Sequence, residues 1–289
     1  MKSFSLKSFL TLIKFRVSLA VTFTAATGYI VFAGNADIRL IQLAIGVFIL
    51  ASGSGALNEF QERKYDAKMP RTCHRPIPAG QISSINALIL SVLLIFEGLY
   101  LLFSAFGEIT ALLGLFNIVW YNGLYTNLKR MTAYAVIPGS LVGAVPVFMG
   151  WTAAGGQLFN STVVFIAFFI FIWQVPHFWL LMLKYGKEYE EAGFPTINQS
   201  INPAGLRKII FSWIVATSFS SLLIPLFLLH SSLPLFISIF VLNMLFISVF
   251  AKLSFGEMAE LNLRKSFVSI NVYMLVFMIM LIAFHLLSA

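Results

Sequence analysis

The sequence predicts an all-α, polytopic membrane protein, with about nine transmembrane helices around a central cavity in one domain over residues 1–289. Three observations predict it. Hydrophobic residues make up 59% of the chain, thirty of them Phe, against 10% charged residues, and mean hydropathy is +0.90, a balance that describes a chain solvated by lipid. Apolar runs close to the ~20 residues needed to cross the hydrocarbon recur nine times. They are too long and too little alternating for barrel strands, and a lipid-embedded backbone must satisfy its own hydrogen bonds, so they are read as helices.

The runs fall at 17–32, 40–57, 85–106, 109–125, 134–153, 162–183, 209–229, 233–251 and 267–287. The first follows a basic stretch like that of a signal anchor, but its length and the short loop to the second run predict a retained span. Between the second and third lies the segment from Asn58 to Gly80, which crowds acids, bases and an amide where a short turn would suffice. Glu97 falls near the middle of the third run, where an exposed charge costs about 2.5 to 3.5 kcal/mol, so it is expected to face the bundle interior or to carry its proton. The fourth run ends on Tyr121, Asn122 and Tyr125, with Lys129 one turn beyond. In the fifth, Gly139 and Gly143 form a small-xxx-small face expected to admit a neighbouring helix closely, and Pro138 and Pro146 imply local bends. The sixth carries Pro176, expected to kink the helix just before His177. His230 and His285, near the far ends of the last spans, are read as structural.

Basic residues set the orientation. With the N-terminus inside, Lys2, Lys7, Lys14, Arg16, the cluster from Arg63 to Arg75, Lys129, Arg130, Lys184, Lys187, Arg207, Lys208, Lys252, Arg264 and Lys265 all fall on the cytoplasmic side, leaving Arg39 outside. The net charge of +8 is then chiefly a topology signal. It favours anionic lipid or an anionic substrate over nucleic acid, for which there is no folded soluble domain. Cys73 is the sole cysteine, which excludes an intramolecular disulfide and a thiolate metal cluster.

The polar clusters carry the chemistry. Asn58, Glu62 and Asp66 stand at i, i+4 and i+8, so on a helix their oxygens share one face, a ladder for a hard divalent cation; Arg71 and Arg75 follow at the same spacing. Carboxylates for Mg²⁺ followed by guanidiniums suit a pyrophosphate group. Tyr121, Tyr125 and Lys129 repeat the i, i+4, i+8 spacing. His177, Lys184 and Glu188 share a face at the end of the sixth span, four spans after the first acidic motif and on the same side of the membrane, so both carboxylate-bearing ends are expected over one cavity.

Asn58-x-x-x-Glu62-x-x-x-Asp66, continued by Lys68-Met69-x-Arg71-Thr72-x-x-Arg75-Pro76, resembles the first signature of the UbiA-type intramembrane prenyltransferases. Tyr125-Thr126-x-Leu128-Lys129-Arg130-x-Thr132, Trp173-Gln174-x-Pro176-His177-Phe178, and Glu188-Tyr189 with Ala192-Gly193-x-Pro195 are similar to later signatures of the subfamily whose acceptor is haem. The resemblance runs from about Lys14 to the last span. It implies that farnesyl diphosphate and haem B are joined to give haem O; the basic-residue asymmetry puts the active site toward the cytoplasm, and a cell inner membrane is the expected location. It implies Mg²⁺ as cofactor, with Asn58, Glu62, Asp66 and Glu188 as ligands and Lys129 as a further catalytic group. Arg71, Arg75, Tyr121, Asn122, Tyr125, Arg130, His177 and Lys184 are the implied substrate contacts. Membrane lipid is an expected partner, and haem A synthase or terminal-oxidase assembly proteins are partner candidates. A prenyltransferase acting on a quinone-precursor ring and a membrane transporter are the alternative functions. The Trp173–Phe178 segment favours haem over the first, and charges gathered at one membrane face favour an enzyme over the second.

Overall fold

The computed structural model describes residues 5–197, 201–228, 233–255 and 263–288, and among them every regular element is helical. A seven-residue helix α1 (Leu6–Leu12) leads into α2 (Phe15–Ala33), α3 (Ile38–Asp66), α4 (Ser84–Phe106) and α5 (Glu108–Ile118). A π-helical stretch (Val119–Tyr125) and the single turn α6 (Thr126–Leu128) follow. Then come α7 (Val136–Ala153), α8 (Ser161–Glu191), α9 (Pro203–Leu223), α10 (Leu233–Phe255) and α11 (Leu263–Ser288). Side-chain caps mark the starts: Asp37 for α3, Ser83 for α4, Asn160 for α8 and Asn202 for α9 each accept a backbone N–H of the first turn.

Eight described helices are long and apolar enough to cross a membrane. The remaining expected span, 109–125, is helical too but divided: eleven residues of α5 give way to π-helical winding before the apolar run ends. Taken in order, α2, α3, α4, α5, α7, α8, α9, α10 and α11 each pack on the next, and α11 returns to α2, closing a ring. Two helices outrun their apolar runs, as the helical spacing of their polar residues expects. α3 continues past residue 57 to Asp66, and α8 past residue 183 to Glu191, so the acidic residues stand on the spanning helices themselves. α8 also runs unbroken through Pro176.

The close helix approaches lie elsewhere than expected. A Cβ on Gly150 would strike the Ala25 carbonyl and one on Gly28 the Val147 carbonyl, so α2 and α7 touch backbone to backbone there. A Cβ on Gly53 would come within 2.8 Å of the Ile95 nitrogen, and one on Gly98 within 2.6 Å of the Leu50 nitrogen, joining α3 to α4 in the same way. Gly139 and Gly143 instead face side chains, the Tyr125 ring and the Gln174 amide, and make room within the bundle rather than a helix seam.

Glu97 also departs from one expectation, since it is exposed on the outer face of α4 rather than turned inward. The reason lies next to it: Gly98 is the buried position pressed on α3, and the 100° step of a helix carries its neighbour outward. His285 is placed against its own helix, Nδ1 lying 2.7 Å from the Leu281 carbonyl. Lys2 and His230 lie outside the described residues.

Candidate active site

The ring encloses a cavity of about 380 Å³ reached by α2, α3, α5, α7 and α8. Its length follows α3: from Val47 to Glu62 is fifteen residues, roughly 22 Å at 1.5 Å per residue. Val47, Leu50, Gly114 and Met149 line the part deep in the membrane. Asn58, Glu62, Arg71, Arg75, Lys14 and Lys129 line the other end, where α3 leaves the apolar layer.

The ladder of α3 is buried at all three rungs: Asn58 and Asp66 are 1% exposed and Glu62 6%. Each is held differently. The Asn58 amide nitrogen donates to Thr126 Oγ1 at 3.0 Å, which turns its oxygen to accept from the Lys14 ammonium. Glu62 forms an ion pair with Lys129. Asp66 Oδ2 accepts from Arg75 at 2.7 Å and places that guanidinium in the cavity wall, while Asp66 Oδ1 stays buried without a hydrogen-bond partner among the described residues. Burial, and next the charge of Arg75, lower the Lys14 ammonium to about 8. Burial is the largest influence on Lys129 and opposes its charge, but the Glu62 carboxylate, together with the phenol groups of Tyr125, Tyr189 and Tyr121, outweighs it and holds this ammonium above the ordinary lysine range.

Among the described residues no three His, Cys, Asp or Glu side chains converge as a metal cluster. Asn58 and Glu62 line the cavity and Asp66 stands behind Arg75, so the amide and two carboxylates are oxygen ligands suited to a hard dication, and the orphaned Asp66 Oδ1 is the kind of atom such an ion would satisfy. Glu188, near the end of α8, faces the loop after α3, where its Oε2 accepts the Arg71 backbone N–H at 3.2 Å.

The other expected site residues divide. Tyr121 and Tyr125 line the cavity with their rings stacked, centroids 5.9 Å apart, and Phe178 continues the stack at 6.1 Å. The π-helical winding that carries both tyrosines is a form enriched at functional sites. His177 also lines the cavity; its ring lies 4.9 Å from Trp173 and 5.0 Å from Phe267, and its buried Nδ1 has no hydrogen-bond partner among the described residues. Arg71 reaches the wall with its guanidinium over the Tyr185 ring and within 3.3 Å of the Tyr189 hydroxyl.

Three others lie behind the wall. Asn122 is committed to α3, accepting from Ser54 Oγ at 2.7 Å and donating to Gln61 Oε1 at 3.1 Å. Arg130 donates to the Gln61 carbonyl at 2.9 Å and covers the Tyr65 ring. Lys184 is exposed beside Tyr185.

Two residues at the site carry no signal that sequence reasoning used. Lys14 reads as one more topology-setting lysine; the fold gives it a left-handed backbone, φ 49°, and turns its ammonium inward. Glu59, fully buried one position after Asn58, accepts the Ile77 N–H at 3.1 Å and so pins the loop that carries Arg71 and Arg75.

A ring of membrane-crossing helices around a cavity with acids and cations at one end and apolar walls at the other is the architecture of an intramembrane prenyltransferase. The chain belongs to the UbiA prenyltransferase family, whose model matches residues 19–271. It is 37% identical over 218 residues to the protoheme IX farnesyltransferase of Geobacter sulfurreducens, covering 75% of this chain and 80% of that one. It is 34% identical over 250 residues to the protoheme IX farnesyltransferase of Neorickettsia sennetsu, covering 84% and 82%. The fold is shared with a UbiA homologue of Archaeoglobus fulgidus bound to GPP and Mg²⁺, at a TM-score of 0.71 and 16% identity over 96% of this chain and 99% of that one.

Proposed function

We propose that this protein transfers the farnesyl group of farnesyl diphosphate to a vinyl group of haem B, with addition of water, giving haem O and diphosphate. The cavity carries the reading: one continuous hollow joins a cationic and acidic end, fit for a diphosphate, to an apolar length fit for an isoprenoid. The likeness to protoheme IX farnesyltransferases supports haem as the acceptor. The polar end faces the cytoplasm of a cell whose inner membrane holds the nine spans as a single domain.

Asn58, Glu62 and Asp66 are the residues that would hold Mg²⁺, with Glu188 nearby as the support of the Arg71 loop. When bound, the ion supplies neutralisation of the diphosphate charge. Lys14, Lys129, Arg71 and Arg75 bind the phosphate oxygens and offset the charge that develops as the C–O bond breaks and its electron pair leaves with the diphosphate. The faces of Tyr121, Tyr125 and Phe178 border the path of the allylic cation, and an aromatic face stabilises a desolvated cation by about 2 kcal/mol. The vinyl π pair then bonds to the farnesyl carbon, leaving a cation on the carbon beside the pyrrole. Water adds there and releases a proton. Since no ring proton has to be removed, the site needs no strong base, and His177 is assigned to hold the haem, first through its iron.

The test is to incubate purified protein with haem B, farnesyl diphosphate and Mg²⁺ and to weigh the porphyrin. A gain of farnesyl plus hydroxyl is expected. Unchanged haem, with prenylation of a hydroxybenzoate offered in its place, would transfer the reading to the quinone-precursor enzymes.

A further inference from the structure

Glu97 is an acid that the cavity leaves aside. It stands thirteen residues from Ser84 and nine from Phe106, so along α4 it is roughly 20 Å from one end and 13 Å from the other. That distance is beyond what a glutamate can span to reach interfacial water. Its neighbours on the outer face are Leu93, Phe96 and Tyr100, which are 60%, 70% and 57% exposed. Rotation of α4 would not hide it, because Gly98 is locked against the Leu50 backbone and, among the described residues, α4 rests chiefly on α3 and α5.

Lipid satisfies the leucine and phenylalanine of this face but offers nothing to a carboxyl group at that depth, where a charge costs about 2.5 to 3.5 kcal/mol. We propose that the outer face of α4 docks a membrane-spanning helix of another protein, one that presents a basic side chain level with Glu97. Charge complementarity selects that occupant. A second copy of this chain packed symmetrically on the same face would set Glu97 against Glu97, like against like. Polar contacts between membrane helices are the recognised means of fixing partner and register in lipid. The apolar neighbours then supply the packing surface, and the acid supplies the choice of partner.

The experiment uses the full chain in lipid vesicles and two synthetic membrane-spanning helices, one all leucine in its core and one with a single central lysine. Association is read by energy transfer. The lysine helix is expected to bind at least tenfold more tightly than the leucine helix, and Glu97→Leu should bring the two within twofold while farnesyl transfer is unchanged. Equal binding of both helices to the unaltered protein, or a lysine preference that persists in Glu97→Leu, would overturn the proposal. Self-association abolished by Glu97→Leu, with no preference between the helices, would overturn it too and assign the face to a second copy.

Discussion

The backbone N–H of Arg71 donates to Glu188 Oε2 across 3.2 Å, so the loop that follows α3 is fastened to the end of α8. The guanidinium of the same arginine lies over Tyr185 and beside the Tyr189 hydroxyl, both also on α8. Arg71 is therefore held from two sides by one helix, and its charge is aimed into the cavity before any substrate arrives.

Removing the fastening should loosen donor binding rather than unfold the bundle. A hydrogen bond to a charged group contributes about 1.5 to 3 kcal/mol, so Glu188→Ala is expected to raise the KM for farnesyl diphosphate roughly tenfold or more. Glu188→Gln, which keeps an acceptor oxygen, should recover most of that loss. Steady-state kinetics at saturating haem checks it; an unchanged KM in Glu188→Ala would show that the loop holds its place without α8.

How much of this was legible beforehand depends on whether a residue's role is local. Asn58, Glu62 and Asp66 declare themselves by spacing, because a helix converts every fourth residue into one face. The nine apolar runs declare the ring's members, though not their true ends, since polar residues on α3 and α8 continue the helix past the hydrophobic layer. Lys14 and Arg130 are the converse. Both are span-flanking cations in the sequence, and only the fold sends Lys14 into the cavity and Arg130 to the Gln61 carbonyl. Glu97 shows the same limit, because which face of α4 is covered depends on Gly98 meeting Leu50, forty-eight residues away in the chain.

Lys129 and Glu62 neutralise one another in a largely dry site, with side chains 18% and 7% exposed. Truncating one partner of such a pair costs roughly 3 to 5 kcal/mol, because the other charge stays buried and unpaired. Lys129→Ala should therefore lower the melting temperature and weaken diphosphate binding more than haem binding. The double variant Lys129→Ala with Glu62→Gln should regain much of the stability and none of the turnover. Thermal unfolding in detergent, read alongside turnover, separates the two effects; a double variant as unstable as the single would remove the charge-pair explanation.

The glycines of α7 should divide into two behaviours. Gly150→Ala drives a methyl group onto the Ala25 carbonyl and within 2.7 Å of the Tyr29 nitrogen, and neither backbone atom has anywhere to go. Overpacking typically costs 1 to 3 kcal/mol, so a marked loss of folded protein is expected. Gly143→Ala meets first the Gln174 side chain, a flexible group on the cavity wall that is expected to swing into the cavity. That variant should fold normally and bind substrate less well, because the displaced amide takes up cavity volume. Size-exclusion profiles and substrate titrations on the two proteins distinguish these outcomes, and equal folding yields would contradict the backbone contact between α2 and α7.

His177 is the sharpest test of where the acceptor lies. Its ring is clamped between Trp173 and Phe267, and its Nδ1 is buried and, among the described residues, unpartnered in a wall otherwise rich in aromatic carbon. A buried polar atom left unpaired costs about 1 to 3 kcal/mol, a cost that binding a haem group would relieve. His177→Ala is accordingly expected to leave stability unchanged or slightly improved while haem affinity falls about tenfold and the visible spectrum of bound haem shifts. His177→Phe should match it in fold and in loss of the spectral signature. Titration of haem into each variant, followed by absorbance, decides the matter: an unaltered spectrum and affinity in both would take the imidazole off the haem and leave it a packing residue between two aromatic rings.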